Sequence, residues 1–305
     1  MRRTEEADAP PRFTPAPSTS RSWIAPARRI PRDLWIAWGI TAAAFVPIFG
    51  PWVRDWQTDP NYSQGFIIPI ISVFLAARAL RQDERVRTSA GAATVPGFSW
   101  VGVALVLLGL MAYLRGTGGS ESFTTRTGFV LTWLGAVWWI AGTGLGRLLT
   151  VPILFLLFSI PIPSVIYFNI AVPLQNIAAR VASGALQGVG VPLTRDGNTL
   201  LLPGTTLEVA DACSGIRSLT VLLALGALWA YLEKGNPVRR ALLFVSTVPL
   251  AVVGNAVRVT LTALGVYLVG PWVAEGAAHE ATGLVVFAVT LVGLTLLSKV
   301  LRTSE

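Results

Sequence analysis

The residues that could support nucleophilic chemistry lie in three short motifs far apart in the sequence. The chain has one cysteine, Cys213, in the stretch ADACSGIRSL, and one histidine, His279, which begins the run HEATG. Between them, Arg258 stands in the apolar stretch GNAVRV. A thiol nucleophile needs a lowered pKa, a proton carrier and a cation near the developing oxyanion. These three residue types can supply that set.

Cys213 has two interpretations, an inert core residue or a nucleophile. A single thiol forms no intrachain disulfide and no thiolate metal site, and we expect neither a metal nor a cofactor. The residue is predicted to begin a long apolar helix, where unpaired N–H groups and the helix dipole favour thiolate. Arg217 follows four residues later on the same face and adds positive potential. Ser214 and Gly215 leave space for an oxyanion at the same N–H groups.

Arg258 and His279 can each also be interpreted as residues without a catalytic role. An arginine within an apolar run costs at least ~2.5–3.5 kcal/mol on insertion, so it usually faces a cavity or a partner. The alternative is that it reaches the membrane interface along its aliphatic stem. Asn255, three residues earlier, is placed to orient the guanidinium. A lone histidine is commonly an interfacial side chain, but the adjacent Glu280 can tune its protonation.

The composition determines the class of protein that carries these residues. Hydrophobic residues make up 53% and charged residues 13%, and the mean hydropathy is +0.61. Soluble domains carry about 25% charged residues, and apolar runs near 20 residues recur here, which indicates a polytopic helical membrane protein. The net charge of +8 comes mainly from arginines at the ends of apolar runs. That distribution is typical of cytoplasmic loops, and we expect no nucleic-acid partner.

The predicted fold is an all-α polytopic membrane domain over residues 34–302, preceded by a disordered basic cytoplasmic tail over residues 1–33. About eight spans are expected, with a small extracytoplasmic β-hairpin (199–202 and 206–209) before the Cys213 helix. Residues 164–191 are interrupted by polar residues and Pro173, which favours an interfacial or cavity-lining helix. The predicted spans are 34–52, 64–80, 100–114, 128–144, 148–160, 212–232, one starting at 241, and 284–297.

Charge asymmetry predicts the orientation. The basic clusters alternate with lightly charged loops, which places both termini in the cytoplasm. The Cys213 helix then starts at the outer face. Arg258 is 18 residues beyond Arg240, about 27 Å along a helix, and also reaches the outer face. His279 lies just before the last span. We therefore expect Cys213, Arg258 and His279 at one membrane depth.

These motifs resemble the exosortase/archaeosortase family of membrane-embedded cysteine transpeptidases. The resemblance runs from about Trp52 to the last span, with further support from NYSQGF at 61–66 and PLQ at 173–175. It implies an integral-membrane thiol protease that cleaves a C-terminal sorting signal, made of a short motif such as Pro-Glu-Pro, a membrane helix and a basic cluster. The partners would be the sorting signals of exported proteins and membrane lipid. The enzyme would lie in the cell (inner) membrane with its active site outside.

The resemblance also implies residue roles. Cys213 would form an acyl-thioester, His279 would carry the proton, and Arg258 would stabilise the oxyanion or donate a proton. Ser214, Gly215, Arg217 and Asn255 would support them. The family often has histidine where this chain has Gln64, which cannot transfer a proton.

Two other classes of function remain open from the residues alone. A transporter would use broken helices and a charge at the membrane midplane, and the Pro173 region and Arg258 fit that description. A non-catalytic scaffold of an exopolysaccharide export system is the third possibility. No inverted repeat is evident, and the polar residues gather at one face rather than at the midplane.

Overall fold

The structure, a computed structural model, describes residues 32–82, 99–209, 216–233 and 236–303. Most of the predicted tail, residues 1–33, lies outside the described residues, and the first described helix begins at Arg32. The described α-helices are α1 (Arg32–Ala44), α2 (Val46–Thr58), α3 (Ile67–Gln82), α4 (Trp100–Gly118), α5 (Ser122–Leu154), α6 (Ser164–Gly188), α7 (Ile216–Leu232), α8 (Pro237–Val269) and α9 (Gly276–Thr303). Short 3₁₀ segments cover Pro60–Phe66, Phe155–Ser159 and Pro271–Ala274.

The helices agree approximately with the predicted set of about eight spans. Within the described residues, six helical segments are long and apolar enough to cross a membrane. A seventh is counted if α1 and α2, which meet at a bend of 70°, form one span. α7 is apolar but shorter, at 17 residues. The all-α polytopic fold is therefore confirmed.

Helix α5 folds back on itself at Gly142. This residue has φ 73° and ψ −178°, a conformation that only glycine adopts readily. The Trp138 indole N–H donates to the Thr150 hydroxyl at 3.0 Å. Twelve residues of straight helix would separate those positions by about 18 Å, so the contact requires a reversal. The predicted spans 128–144 and 148–160 place this turn at residues 145–147, which include Arg147. The chain turns instead at Gly142, five residues before Arg147.

Long-range hydrogen bonds gather residues of several helices at one end of the helix bundle. The indole N–H groups of Trp52 and Trp56 both donate to the Ser159 carbonyl, at 2.9 and 2.8 Å. The Arg217 guanidinium donates to the Ser63 hydroxyl at 3.4 Å. We call the end that holds these residues the upper end, and the end with Gly142 the lower end.

An ion pair joins α2 and α5 at the upper end. Arg126, only 2% exposed, contacts Asp55 at 2.7 Å and lies 5.7 Å from the Trp52 ring centroid. One turn earlier, the Glu121 carboxylate accepts hydrogen bonds from the backbone N–H groups of residues 123 and 124 and caps α5. Burial alone would raise the pKa of Glu121, but these hydrogen bonds and the charge of Arg126 outweigh it and lower that pKa.

A second core lies beyond the bundle at the upper end. It joins the last half of α6, the sheet and the final turns of α8, and its buried members are Ala178, Ala179, Ala182, Leu186, Val191, Leu200, Leu202, Val209, Val259, Ala263 and Val266. The residue before α6, Pro163, follows Ile162, whose N–H donates to the Tyr62 hydroxyl at 3.2 Å. Both ends of α6 are therefore held at the upper end. α6 is also one of the six segments long and apolar enough to cross a membrane, so the interfacial or cavity-lining helix stays a prediction.

The predicted hairpin is present and has a third strand. Strand β2 (Thr199–Leu202) pairs antiparallel with β3 (Thr205–Glu208), and β1 (Thr194–Asp196) pairs with the other edge of β2. The inward side chains Leu200 and Leu202 alternate with exposed neighbours and enter the second core. The sheet therefore anchors the chain shortly before the Cys213 segment.

Candidate functional site

Three of the candidate residues fall in a part of the chain without a described position. Cys213, Ser214 and Gly215 lie outside the described residues, as does Asp211, the expected helix cap. α7 is described from Ile216, three residues after the cysteine. The structure therefore locates the helix that follows the thiol in the sequence, together with the other candidate residues Arg217, Asn255, Arg258 and His279.

Arg258 and His279 are in direct contact. The Nη2 atom of Arg258 lies 2.8 Å from Nε2 of His279, and both side chains are half-buried. A guanidinium has only donors, so in this contact Nε2 must be the acceptor. The imidazole is therefore neutral, with its proton on Nδ1. Two residues separated by 21 positions in the sequence thus form one unit.

His279 lies inside the last helix rather than before it. α9 begins at Gly276, eight positions before the predicted span, because hydropathy detects only the apolar part of a longer helix. The N–H of His279 donates to the Glu275 carbonyl at 3.5 Å, which places the imidazole in the first turn.

Gly283 makes room for the guanidinium. It lies one turn after His279, and a Cβ placed on it would be 3.1 Å from both Cζ and Nη2 of Arg258. The histidine and the glycine of the HEATG run therefore face the same arginine. The sequence identifies this glycine only as part of the HEATG motif, because its contact with Arg258 depends on the packing of α8 against α9.

A cavity of about 560 Å³ opens beside this pair. α7 and α9 each pack against α8, and the cavity lies between them. Its lining residues are Arg217, Ser218, Val221, Arg258, Ala277, Glu280, Ala281, Gly283, Leu284 and Phe287. We call it the α7–α9 cavity. It brings Arg217 and Arg258 to one space, together with the carboxylate-bearing Glu280.

The 3₁₀ segment Pro60–Phe66 supports the first turns of α7. Arg217 donates to Ser63, and the Gln64 amide donates to the Thr220 hydroxyl at 3.4 Å. Neither contact was predicted from the sequence. They join residues more than 150 positions apart, which no local pattern reveals.

The segment is itself fixed at several points. Asp59 caps it by accepting from the Asn61 N–H at 2.9 Å, and the buried Tyr62 hydroxyl accepts from Ile162. Gln64 thus has a structural role at the site, because its amide donates to Thr220 of α7. The histidine that the family often has at this position would titrate, whereas this amide does not.

The two remaining candidates, Asn255 and Arg217, lie near the Arg258–His279 pair, and their burial differs. Asn255 is 5% exposed on α8, one turn before Arg258. Arg217 is exposed at the cavity rim. Among the described residues, no group of three or more His, Cys, Asp or Glu side chains could hold a metal ion.

The comparisons with known proteins identify the family. The family model described as "Transmembrane exosortase" matches residues 56–296. No curated protein and no solved structure matches the chain. Because the match covers more than half of the sequence, the chain belongs to the transmembrane exosortase family.

Proposed function

We propose that this transmembrane exosortase is a cysteine peptidase or transpeptidase that cleaves the C-terminal sorting signals of exported proteins. The observation that carries the proposal is the Arg258–His279 contact beside a cavity that the first turns of α7 also line. A proton carrier and an anion-stabilising cation therefore lie next to the helix that follows the single thiol.

Covalent geometry limits the position of that thiol. Three residues of extended chain span about 11 Å at most, so the Cα atom of Cys213 lies within that distance of the Ile216 Cα atom. Arg217 is the next residue along and lines the α7–α9 cavity. Cys213 therefore precedes, by four residues, a wall of the cavity that Arg258 also lines, and this proximity along the chain is what supports the nucleophile interpretation over inert packing.

The tautomer that the Arg258 contact implies suits His279 as the base. Its Nε2 is unprotonated and takes the proton of the Cys213 thiol, and the thiolate attacks the scissile carbonyl carbon. For this transfer the Arg258 guanidinium first turns from Nε2 to the position of the oxyanion, which frees the Nε2 lone pair for the thiol proton and separates the guanidinium from the imidazolium that results. Arginine keeps its protons at all accessible pH values, which favours electrostatic stabilisation over proton donation.

The later steps return each group to its initial state. The carbon–nitrogen bond breaks, the imidazolium donates its proton to the leaving amine, and a thioester joins Cys213 to the sorted protein. A second nucleophile, water or an amine, loses its proton to His279 and attacks the thioester. The thiolate leaves and takes the proton back from His279, and the sorted protein is released with its carbonyl carbon bonded to the second nucleophile. Glu280, in the cavity wall next to His279, favours the imidazolium stage electrostatically.

The proposed site faces the outside of the cell membrane. Arg147, Arg239 and Arg240 gather at the lower end, whereas Asp55, Asp59, Glu121, Glu275 and Glu280 lie at the upper end. Cytoplasmic loops carry the excess of basic residues, so the lower end is cytoplasmic. The same distribution argues against a transporter, because the polar groups of the site cluster at one end and away from the midplane.

The test is the rate at which cells process an exported reporter with a tripartite C-terminal tail. Cys213→Ala should abolish processing while membrane insertion and thermal stability persist. Ser246→Ala is the matched control, because it also removes one small polar group but lies on α8 far from the cavity. Processing of the reporter by Cys213→Ala at the control rate would overturn the proposal.

A further inference from the structure

The α7–α9 cavity changes polarity along its depth. Arg217, Arg258 and Glu280 line its upper part. Val221 lies one turn below Arg217 on α7, and Leu284 and Phe287 lie one and two turns below Glu280 on α9. A ligand that fills the whole space therefore needs a polar part above and an apolar part below.

The wall formed by α9 is open at its apolar level. Leu284 lines the cavity and is nevertheless 70% exposed. Higher on the same wall, Ala277 and Ala281 are small and exposed, so another backbone can approach closely. The volume of about 560 Å³ is in the range of sites that enclose a ligand of several side chains.

We propose that this cavity is a lateral docking groove for the apolar membrane helix of the substrate. The helix lies against Val221, Leu284 and Phe287, and its upper end leads the chain to the Arg258–His279 pair. A membrane helix that continues into a polar extended segment matches both levels of the cavity. A phospholipid also matches both levels, but the Arg258–His279 pair at the top of the groove favours a peptide that continues to the proposed catalytic groups. The groove is continuous with the proposed catalytic pair because both share Arg258. This inference rests on the proposed function.

Docking within lipid depends on fit rather than on the hydrophobic effect, because lipid tails are as apolar as leucine. The close contacts that a helix makes with small residues and with a concave wall therefore provide the attraction. The position of the groove also sets the geometry of cleavage. A helix held beside Leu284 places the residues that precede it at the level of His279, one to two turns higher.

Disulfide cross-linking tests the docking directly. In the Cys213→Ser background the chain has no cysteine, and Leu284→Cys introduces one in the groove. The probe is a co-expressed exported reporter with a tripartite tail and a single cysteine in the first two turns of its apolar helix. Val285→Cys is the matched control, since it lies at the same depth, is 62% exposed and does not line the cavity.

We expect Leu284→Cys to give at least about tenfold more enzyme–reporter disulfide than Val285→Cys, because disulfide formation requires Cα atoms within about 7 Å. Equal yields at the two positions would overturn the groove. A disulfide between two copies of the enzyme at Leu284→Cys would also overturn it, by assigning the surface to a second copy.

A steric variant gives an independent measurement and separates the two proposals. With Cys213 present, Leu284→Trp should block processing of the reporter, whereas Val285→Trp should not. Alkylation of Cys213 by iodoacetamide should proceed in both variants, since a small reagent does not need the groove. Processing by Leu284→Trp at the rate of Val285→Trp rejects the groove and leaves the peptidase proposal intact. A wild-type enzyme that fails to process the reporter rejects the peptidase proposal itself.

Discussion

Gly283→Ala tests whether the position of the Arg258 guanidinium matters for catalysis. The added Cβ would lie 3.1 Å from Cζ and Nη2, whereas ordinary contacts begin at 3.4 Å. The guanidinium must therefore move by about 0.3 Å, away from α9 and from His279. A displacement of 1 Å at an active site costs about 10²-fold in rate, so we expect about a fourfold slower processing.

The same substitution should not weaken the fold. Alanine is favoured over glycine within a helix by about 1 kcal/mol, and the flexible arginine accommodates the small displacement. Activity should therefore fall while the thermal midpoint in detergent stays the same or rises. A lower processing rate with an equal or higher thermal midpoint indicates that the guanidinium is mispositioned, whereas a destabilised protein would show a decrease in both.

Gly293→Ala is the matched control in the same helix. A Cβ there would lie 3.6 Å from the nearest atom, Cδ2 of Leu250, which is an ordinary contact. The control gains the same helix propensity without touching Arg258. The assay is the initial rate of reporter processing at equal enzyme levels. If Gly283→Ala and Gly293→Ala process the reporter at equal rates, the packing of Gly283 against the guanidinium does not position a catalytic group.

Two further predictions concern the ion pair and the helix cap at the upper end. Asp55→Asn should lower the free energy of unfolding by about 2 kcal/mol, because it leaves the buried charge of Arg126 uncompensated. The loss is smaller than for a fully buried pair because Asp55 itself is 40% exposed. A thermal midpoint equal to that of the exposed control Asp196→Asn would contradict this. The stabilisation from the Glu121 carboxylate is complete above its ordinary pKa of 4.5 and disappears as the pH falls through the lower pKa of the folded state. The midpoint difference between wild type and Glu121→Gln should therefore shrink on acidification from pH 6, and a difference independent of pH would refute the assignment.

Local patterns in the sequence were sufficient for the outline of the fold. Apolar run lengths predicted the spans, and the Pro203-Gly204 turn with its alternating neighbours predicted the hairpin. They located the reversal in α5 near Arg147 because a charge marks the membrane boundary. The chain turns instead at Gly142, where a positive φ is sterically allowed. Strand β1 was not predicted, because three residues are too few to show the alternation of apolar and polar side chains that marks a strand.

The candidate site was predictable only in part. The expectation that Arg258 and His279 share one depth is confirmed by their contact, because helix rise converts residue counts into height. The support from Ser63 and Gln64 depends on which helices become neighbours, which a single sequence does not specify. The catalytic roles of Cys213, Arg258 and His279 stay predictions, as do the supporting roles of Ser214, Gly215, Arg217 and Asn255.

The length of α8 means that one helix is stabilised in two solvents. Its 33 residues extend for about 50 Å, against about 30 Å of hydrocarbon, so in the proposed orientation, with Pro237 at the cytoplasmic boundary, its final turns extend beyond the lipid. Below, its contacts with α7 and α9 depend on close packing, since lipid gives apolar side chains no reason to associate. Above, Val259, Ala263 and Val266 are buried by the hydrophobic effect, as in a water-soluble domain. Urea should therefore loosen the layer that carries β1–β3 before it loosens the bundle, and Arg258 stands at the boundary between the two regimes.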